Sequence, residues 1–174
     1  EAMEYMRGEV RKAGFPDMHY MMMDGGGFPF NEGTKASVDN RMFLKPDSWA
    51  LYNMGGFDPD YMRHGQNAID YRNGWDNYMD IPVFPTVSIG WDDTPRFPAK
   101  GENDVTRFNH SPEAFKNFLL EAKRYADAHP EQPKFVMINA WNEWVEGSYL
   151  LPDRYWGYGW LEAVQEVFGP VKEK

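Results

Sequence analysis

The sequence predicts an α/β fold in which helices cover a parallel sheet, and three observations support it. Helical and strand patterns alternate along the 174 residues, with a long loop after the first strand. The strand candidates are apolar throughout, as expected for strands buried on both faces. Four such strands are about half of an eight-stranded barrel, which usually needs ~250 residues. We therefore expect residues 1–174 to be the C-terminal portion of a single (β/α)8 barrel, or TIM barrel, with a small open doubly wound sheet as the alternative.

The predicted helices follow from apolar periodicity and from capping signals at their ends. Asp58-Pro59 and Ser111-Pro112 each combine an N-cap residue with a proline suited to the first turn. The third helix has an apolar stripe at three- and four-residue spacings, formed by Phe115, Phe118, Leu119, Ala122 and Tyr125. The predicted helices lie at about residues 1–13, 58–73, 111–125 and 157–168.

The predicted strands are short apolar runs that end at polar or glycine-rich segments. They lie at residues 19–23, 49–52, 82–89 and 134–140. Pro85 weakens the third prediction, because proline cannot donate a hydrogen bond within a sheet. Asp24 ends the first strand, where an acidic side chain could bind sugar hydroxyls; capping of a turn is the alternative interpretation.

Composition excludes several classes of function. The net charge of −9 argues against a nucleic-acid partner, and the absence of cysteine excludes disulfides and thiolate metal sites. No apolar run approaches the ~18 residues that would predict a membrane span. Aromatic residues make up 17% of the chain, including seven tryptophans. Aromatic faces beside carboxylates and amides suit sugars, although packing in the core explains many aromatic residues equally well.

The strongest functional signal is the pair Glu143 and Glu146, which directly follows the strand predicted at 134–140. Parallel α/β sheets place their active sites at this end of the strands. Two carboxyl groups three residues apart on a turn can approach the ~5 Å separation of retaining glycosidases. We expect flanking Trp141 and Trp144 to desolvate one carboxyl, so that one group is protonated and the other ionised. Local capping and solvent exposure are the alternative roles.

The segment Trp141-Asn142-Glu143-Trp144-Val145-Glu146-Gly147, continuing through Tyr149, Leu150, Pro152 and Asp153, resembles the signature of the glycoside hydrolase family 99-like group. That group includes endo-α-mannosidases, endo-α-mannanases and the WbsX-type proteins of bacterial polysaccharide clusters. Residues 88–96 resemble the family segment that follows the preceding strand, and the resemblance covers roughly residues 82–163.

The resemblance implies a (β/α)8 barrel that cleaves internal α-mannosidic bonds with retention through a 1,2-anhydro sugar, without a metal or cofactor. Glu143 would be the base for the sugar 2-hydroxyl. Glu146 would be the general acid and then the base that activates water. Val145 departs from the mannosidase pattern, and residues 149–153 are closer to the WbsX-type branch, so the sugar stays open.

Further candidates for substrate binding are Trp91, Asp92, Arg96, Trp141, Asn142, Trp144 and Tyr149. Arg96 could hold a sugar hydroxyl or keep a glutamate ionised, with a surface salt bridge as the alternative. Asp92 could instead cap a turn, and Trp91 could pack in the core. The expected partners are an oligosaccharide or polysaccharide and the remainder of the barrel.

Two other functions stay open at this stage. WbsX-type proteins have been described as glycosyltransferases, and a glycan-binding domain without turnover is also consistent with the motif. A glycan-degrading hydrolase would be expected outside the cytoplasm, whereas a biosynthetic WbsX-type protein would be expected within it.

Overall fold

The computed structural model describes residues 2–18, 60–78, 83–92, 94–97 and 109–170. The strands predicted at 19–23 and 49–52, together with Asp24, lie outside these residues. The helices within them are α1 (Ala2–Lys12), α2 (Tyr61–Tyr78), α3 (Pro112–Ala128) and α4 (Gly159–Phe168). The strands are β1 (Thr86–Ser88), β2 (Met137–Asn139), β3 (Asn142–Glu143) and β4 (Ser148–Tyr149), and a 3-10 turn (Trp144–Glu146) lies between β3 and β4.

Strands β1 and β2 form a parallel pair, and α3 connects them, as the alternation of elements predicts. The register places Thr86 opposite Met137 and Ser88 opposite Asn139. Each strand has only three residues, which is shorter than predicted. Backbone contacts extend the pairing slightly, because Ile89 N donates to Asn139 O at 2.9 Å. The carboxyl ends of both strands therefore lie side by side, and the candidate site begins there.

The core lies between the helices and this strand pair. The predicted stripe of α3 is confirmed, since all five of its residues are buried, and α4 contributes Trp160, Ala163 and Val167. Trp160 is 1% exposed and meets Phe115 edge-on, with 5.8 Å between ring centroids. Helix α2 approaches α3 at Gly65, where the ring of Phe118 leaves no room for a side chain. Burial of these large apolar groups is the main term that holds the helical layer together.

The helix ends show where capping signals were informative. Ser111 caps α3 as predicted, because its side chain accepts a hydrogen bond from Ala114 N at 3.2 Å. The cap of α2 is Asp60, and the prediction of Asp58 was wrong: Asp60 Oδ1 accepts from Met62 N at 3.0 Å and from Arg63 N at 3.2 Å. Asp60 offers the same side-chain acceptor as Asp58 but lies directly before the first helical residue, and α2 runs past the predicted end to Tyr78.

The short strands β3 and β4 form an antiparallel hairpin directly after β2. Leu150 N, just past β4, donates to Ala140 O at 3.0 Å and to Trp141 O at 3.1 Å. The hairpin is therefore fastened at its base to the end of β2. Among the residues described, no helix combines the length and apolar character needed to cross a bilayer.

Candidate active site

Both glutamates of the motif lie on the β3–β4 hairpin, at the carboxyl end of β2. Glu143 ends β3, and Glu146 ends the 3-10 turn that reverses the chain. Gly147 follows with φ of 62°, and its N–H donates to Trp144 O at 3.2 Å. Glycine adopts this left-handed backbone conformation without the steric cost that a Cβ imposes. The backbone thus turns sharply directly after Glu146.

The loop after β1 packs tightly against this turn. Asp92 N donates to Glu146 O at 2.7 Å, so the backbones of the two loops are joined directly. A Cβ on Gly147 would lie 2.8 Å from Asp92 Cβ and 2.9 Å from Asp92 N. Two features therefore require glycine at position 147: the left-handed backbone conformation and the close approach of Asp92.

A buried polar cluster lies beneath the turn. Asn139 at the end of β2 and Ser148 at the start of β4 are 4% and 0% exposed, respectively. Asn139 Nδ2 donates to Ser148 Oγ at 2.9 Å, and Ser148 Oγ donates to Gly90 O. Ser88 Oγ donates to the same Gly90 carbonyl oxygen at 3.2 Å. These bonds connect both strand ends to the hairpin, and buried polar groups of this kind are stable only when they are paired.

Sequence reasoning does not single out Asn139 or Ser148 as part of the site. The available signal is that Asn139 and Ser88 are polar residues at the last positions of their strands. At that end of a parallel strand, a polar side chain indicates contact with a loop or a ligand.

Glu146 is buried, with 6% of its surface exposed. Its Oε1 lies 2.6 Å from Arg96 Nη1, and the Arg96 side chain is 43% exposed. The positive guanidinium stabilises negative charge on Glu146 and compensates for its burial. Among the described residues, Glu146 Oε2 is buried without a hydrogen-bond partner. A carboxylate oxygen in that condition is typical of sites that hold a water molecule or a ligand.

Glu143 is partly buried, and Trp144 follows it directly in the chain. Trp144 stacks on Tyr149 with 4.1 Å between ring centroids and 26° between ring planes. Trp141 and Trp144 are 57% and 46% exposed. Both rings are therefore about half open to solvent, and the desolvation of one carboxyl by these tryptophans stays a prediction. Glu146 is buried where its turn packs against Asp92.

Asp153 belongs to the family motif and lies just past the hairpin, in the turn that leads into α4. Its Oδ1 accepts hydrogen bonds from Tyr155 N at 2.7 Å and from Trp156 N. Burial opposes the charge on Asp153, but these N–H donors and the side chains of Tyr149 and Trp160 outweigh it and lower its pKa. Burial and the negative charge of Asp153 together raise the pKa of the Tyr149 hydroxyl.

The remaining candidates differ in where the structure places them. Asp92 Oδ1 accepts from Thr94 N at 3.0 Å and from Thr94 Oγ1 at 2.5 Å, so this oxygen caps a turn. Trp91 is half-buried and packs against the hydrophobic core. Asn142 is exposed on β3, opposite Tyr149. Within the described part of the chain, no group of three or more His, Asp or Glu residues is arranged to hold a metal ion.

Comparison with a solved structure bears on the fold. A protein described as a glycoside hydrolase-like protein superposes with a TM-score of 0.54 and 14% sequence identity. The match covers 97% of this chain and 49% of that chain. The mixed helix and strand architecture therefore corresponds to about half of a glycoside hydrolase-like fold.

Sequence relatives identify the family. Two proteins from two strains of Xanthomonas campestris pv. campestris, both named uncharacterized protein WxcX, are 38% identical over 142 residues. The matched region is 80% of this chain, and the chain spans 18% of the length of those relatives. The family model described as glycosyltransferase WbsX matches residues 1–164. The chain thus belongs to the WbsX family, which confirms the resemblance seen in its motif.

Proposed function

We propose that this chain supplies the catalytic carboxylates of a retaining glycoside hydrolase that acts on an α-linked glycan. The observation that carries the proposal is Glu146, a buried acid at the carboxyl end of a parallel strand. One of its oxygens pairs with Arg96, and the other has no hydrogen-bond partner among the described residues. Glu143 and the exposed face of Trp144 lie on the same hairpin. A carboxylate pair beside an aromatic face suits a sugar ring and the breaking of its glycosidic bond.

The proposed setting is the C-terminal half of a (β/α)8 barrel, with residues 1–174 contributing to one catalytic domain. The parallel β1–α3–β2 unit and the match to half of a glycoside hydrolase-like chain support this arrangement. Half of a barrel leaves strand edges that the remainder of the barrel would cover. The isolated chain should therefore dimerise or aggregate in size-exclusion chromatography, whereas a stable monomer would support a complete fold.

In the proposed first step, Glu143 removes the proton from the sugar 2-hydroxyl, and O2 attacks C1. The bond from C1 to the leaving oxygen breaks as Glu146 gives that oxygen a proton. In the second step, water attacks C1, Glu146 accepts the proton of the water, and Glu143 returns a proton to O2 as the C1–O2 bond opens. Two displacements at C1 retain its configuration, and the tethered 2-hydroxyl has the advantage of an intramolecular nucleophile.

Arg96 contacts the residue that the proposal assigns as acid and base. Its Nη1 lies 2.6 Å from Glu146 Oε1, and Glu146 Oε2 has no hydrogen-bond partner among the described residues, which leaves that oxygen for the proton transfers of both steps. Arg96 is 43% exposed and lies on the loop after β1.

The first experiment identifies the activity with full-length protein and a panel of α-linked polysaccharides, by reading released sugars and their anomeric configuration. Glu146→Gln should lower turnover by at least about 10²-fold, which is the usual contribution of general acid–base catalysis. Glu131→Gln is the matched control, because Glu131 is exposed in the loop before β2. Full turnover by Glu146→Gln would exclude the proposed role.

A second experiment separates the two glutamates. Aryl α-glycosides with acidic leaving groups need little protonation, so they bypass the general acid. Glu146→Gln should regain the first step on such a substrate, seen as a burst of released aryl alcohol, and stay slow in the second step, where it lacks the base for water. Glu143→Gln should give no burst with either kind of substrate. The reverse pattern would mean that Glu143 is the general acid and Glu146 the base for the 2-hydroxyl, and the reaction would still be a glycoside hydrolysis.

The second candidate function is a sugar-nucleotide-dependent glycosyltransferase, and the description of the matching family model favours it. Thermal-shift measurements with nucleotide sugars and Mn²⁺ test it on the same protein. Stabilisation that needs both components, without release of sugars from polysaccharides, would support transfer. Tight glycan binding with no product after long incubation would instead indicate a glycan-binding domain.

A further inference from the structure

The loop that follows β1 contains a turn that the carboxylate of Asp92 closes. Asp92 Oδ1 accepts hydrogen bonds from Thr94 N at 3.0 Å and from Thr94 Oγ1 at 2.5 Å, and residues 94–96 form a turn. An aspartate that accepts the N–H two residues further on closes an Asx turn, which fixes the direction of the chain. Asp92 thus determines the direction in which the loop continues to Arg96.

Asp92 also fixes this loop to the hairpin, but through other atoms. Asp92 N donates to Glu146 O at 2.7 Å, and a Cβ built on Gly147 would meet Asp92 Cβ at 2.8 Å. The contact with the hairpin therefore uses the backbone and the Cβ of Asp92, whereas the turn uses its carboxylate. Substitution by alanine separates the two contacts, since alanine keeps the backbone and the Cβ.

Arg96 lies at the end of the turn and makes a second contact with Glu146. Its Nη1 is 2.6 Å from Glu146 Oε1. The Arg96 side chain is 43% exposed, and a long exposed side chain loses conformational freedom when an ion pair holds it in one geometry. A fixed turn reduces this loss, because the backbone of Arg96 is already placed within reach of the glutamate.

The two contacts leave one oxygen of Glu146 for chemistry. Asp92 N holds the main-chain oxygen, Arg96 holds Oε1, and Oε2 is buried without a hydrogen-bond partner among the described residues. A carboxyl group that is fixed through one oxygen presents the other in a defined direction. A displacement of about 1 Å at a reacting group can lower the rate by about 10²-fold, so the placement of Oε2 matters for proton transfer.

We propose that Asp92 is a positioning residue for Glu146 and acts through the turn that carries Arg96, a role that rests on the proposed function. The carboxylate of Asp92 closes the turn, the turn directs Arg96 to Glu146 Oε1, and Oε2 is thereby kept in place for the proton transfers. In this role neither Asp92 nor Arg96 touches the sugar, which differs from the substrate binding that the sequence predicts for both. Opening of the turn weakens catalysis and leaves sugar binding intact.

Asp92→Ala tests this role without substrate, by hydrogen exchange of backbone amides followed by mass spectrometry in the full-length protein. Alanine keeps the N–H for Glu146 O and the Cβ that packs on the hairpin, and it removes the acceptor for Thr94. We expect exchange in the loop at 90–97 to accelerate about fivefold or more, because loss of a hydrogen bond lets the turn open. Exchange in the hairpin at 144–149 should rise with it.

Asp92→Asn is the conservative variant, since its side-chain oxygen still accepts from Thr94 N. It should restore the slow exchange of the loop. Asp70→Ala is the control for loss of an aspartate, because Asp70 is exposed on α2. Exchange at the wild-type rate in Asp92→Ala would mean that the carboxylate does not hold the turn, and it would overturn the positioning role.

Arg96→Gln tests the second contact and covers the case in which Asp92→Ala fails to fold. It removes the charge that pairs with Glu146 and leaves the carboxylate of Asp92 in place. We expect faster exchange at 144–149, and no further acceleration there in the double variant, because both substitutions act through one contact. Additive acceleration would separate the turn from the ion pair and overturn the role. Arg63→Gln is the control, since the Arg63 side chain is 70% exposed on α2.

Kinetics on the glycan found in the polysaccharide screen separate positioning from sugar binding. We expect Asp92→Ala and Arg96→Gln each to lower kcat by about 10- to 100-fold and to keep KM within about twofold of the wild-type value. Asp92→Asn should recover most of the lost kcat. A rise in KM at unchanged kcat would assign these residues to sugar binding, and wild-type kcat in Arg96→Gln would overturn the positioning role even if Asp92→Ala does not fold.

The outcomes for positioning and for catalysis are separate, because hydrogen exchange requires no substrate. Wild-type exchange in Asp92→Ala together with loss of turnover in Glu146→Gln would overturn the role of Asp92 and leave the hydrolase proposal standing. Faster exchange in Asp92→Ala together with full turnover in Glu146→Gln would support the hold of the turn on the hairpin and overturn the catalytic role of Glu146.

Discussion

The helical layer and the hairpin are held together by different forces. Helices α3 and α4 meet through large apolar side chains, such as Phe115 and Trp160, which are 0% and 1% exposed. The hairpin buries polar groups instead: Ser148 and Glu146 are 0% and 6% exposed. The helical layer is therefore specified mainly by volume and shape, and the hairpin by the direction of individual hydrogen bonds.

This difference predicts how each region responds to substitution. A packed apolar layer tolerates changes that conserve volume, because its contacts have little directional preference. A buried polar cluster fails when one partner is removed, because the remaining group is left without water or a hydrogen bond. Variants in the helical layer should change global stability, whereas variants in the hairpin should change the geometry of the site at a smaller cost in stability.

The largest effect is expected from Phe115→Ala. Phe115 is a fully buried residue of α3 that packs against Trp160 of α4. Removal of its ring should lower the free energy of unfolding by about 3–5 kcal/mol. Urea denaturation followed by far-UV circular dichroism measures this loss. Phe115→Leu conserves more of the volume and should cost clearly less; equal losses would argue against packing as the cause.

The next effect is expected from Gly147→Ala. The positive φ costs an alanine roughly 1–2 kcal/mol, and the collision with Asp92 adds about 1–3 kcal/mol of overpacking. We expect the hairpin signal in near-UV circular dichroism to change before the helices unfold. Gly157→Ala is the control, because Gly157 also has a positive φ of 58°, but no heavy atom beyond its chain neighbours lies within 4 Å of the position that its Cβ would occupy. Similar results for both glycines would remove the contact with Asp92 from the explanation.

The sequence predicts the helical layer better than the site, and the reason is physical. A stripe such as Phe115 to Tyr125 repeats over several turns, so many residues support the same inference. The cap at Ser111 is equally local, since Ser111 and Ala114 are three residues apart. Asp60 shows the limit of such signals, because two aspartates near one helix start are equivalent in sequence, and it is Asp60 that accepts the hydrogen bonds of the first turn.

The site depends on contacts between residues that are distant in sequence. Arg96 and Glu146 are fifty positions apart, and their ion pair depends on the parallel pairing of β1 and β2. The motif around Glu143 and Glu146 identifies the family from local residues alone. It does not specify which carboxylate is buried, or that Trp144 opens to solvent, because burial is determined by the loop that packs from the other strand.

Ser148→Ala is expected to have an intermediate effect. It leaves Asn139 Nδ2 and the Gly90 carbonyl without the hydroxyl that joins them, which should cost about 1–3 kcal/mol. Chemical denaturation gives the stability, and turnover on the glycan found in the polysaccharide screen gives the effect on the site. We expect turnover to fall more than stability alone explains; a purely global loss would assign Ser148 to the fold.

Ser111→Ala should have a smaller effect, confined to the helical layer. Loss of the N-cap hydrogen bond to Ala114 N should cost about 1 kcal/mol. Ser111→Asp keeps an acceptor at the cap and should restore the stability. Turnover should stay at the wild-type level in both variants, and a specific loss of turnover would contradict the separation of the two regions.

The smallest effect is a dependence of stability on pH that originates in the hairpin. Burial alone would raise the pKa of Asp153, but hydrogen bonds from the backbone of Trp156 and Tyr155 outweigh it and lower the pKa in the folded protein. A carboxyl with a lowered folded-state pKa contributes stability above its unfolded value of about 3.9 and loses it as the pH falls through the folded value. Acid titrations of wild type and Asp153→Asn should therefore converge at low pH, with the wild type more stable near neutrality. Parallel curves would mean that the charge of Asp153 contributes nothing to the stability of the hairpin. The contrast with the helical layer would then rest on Asn139, Ser148 and Glu146.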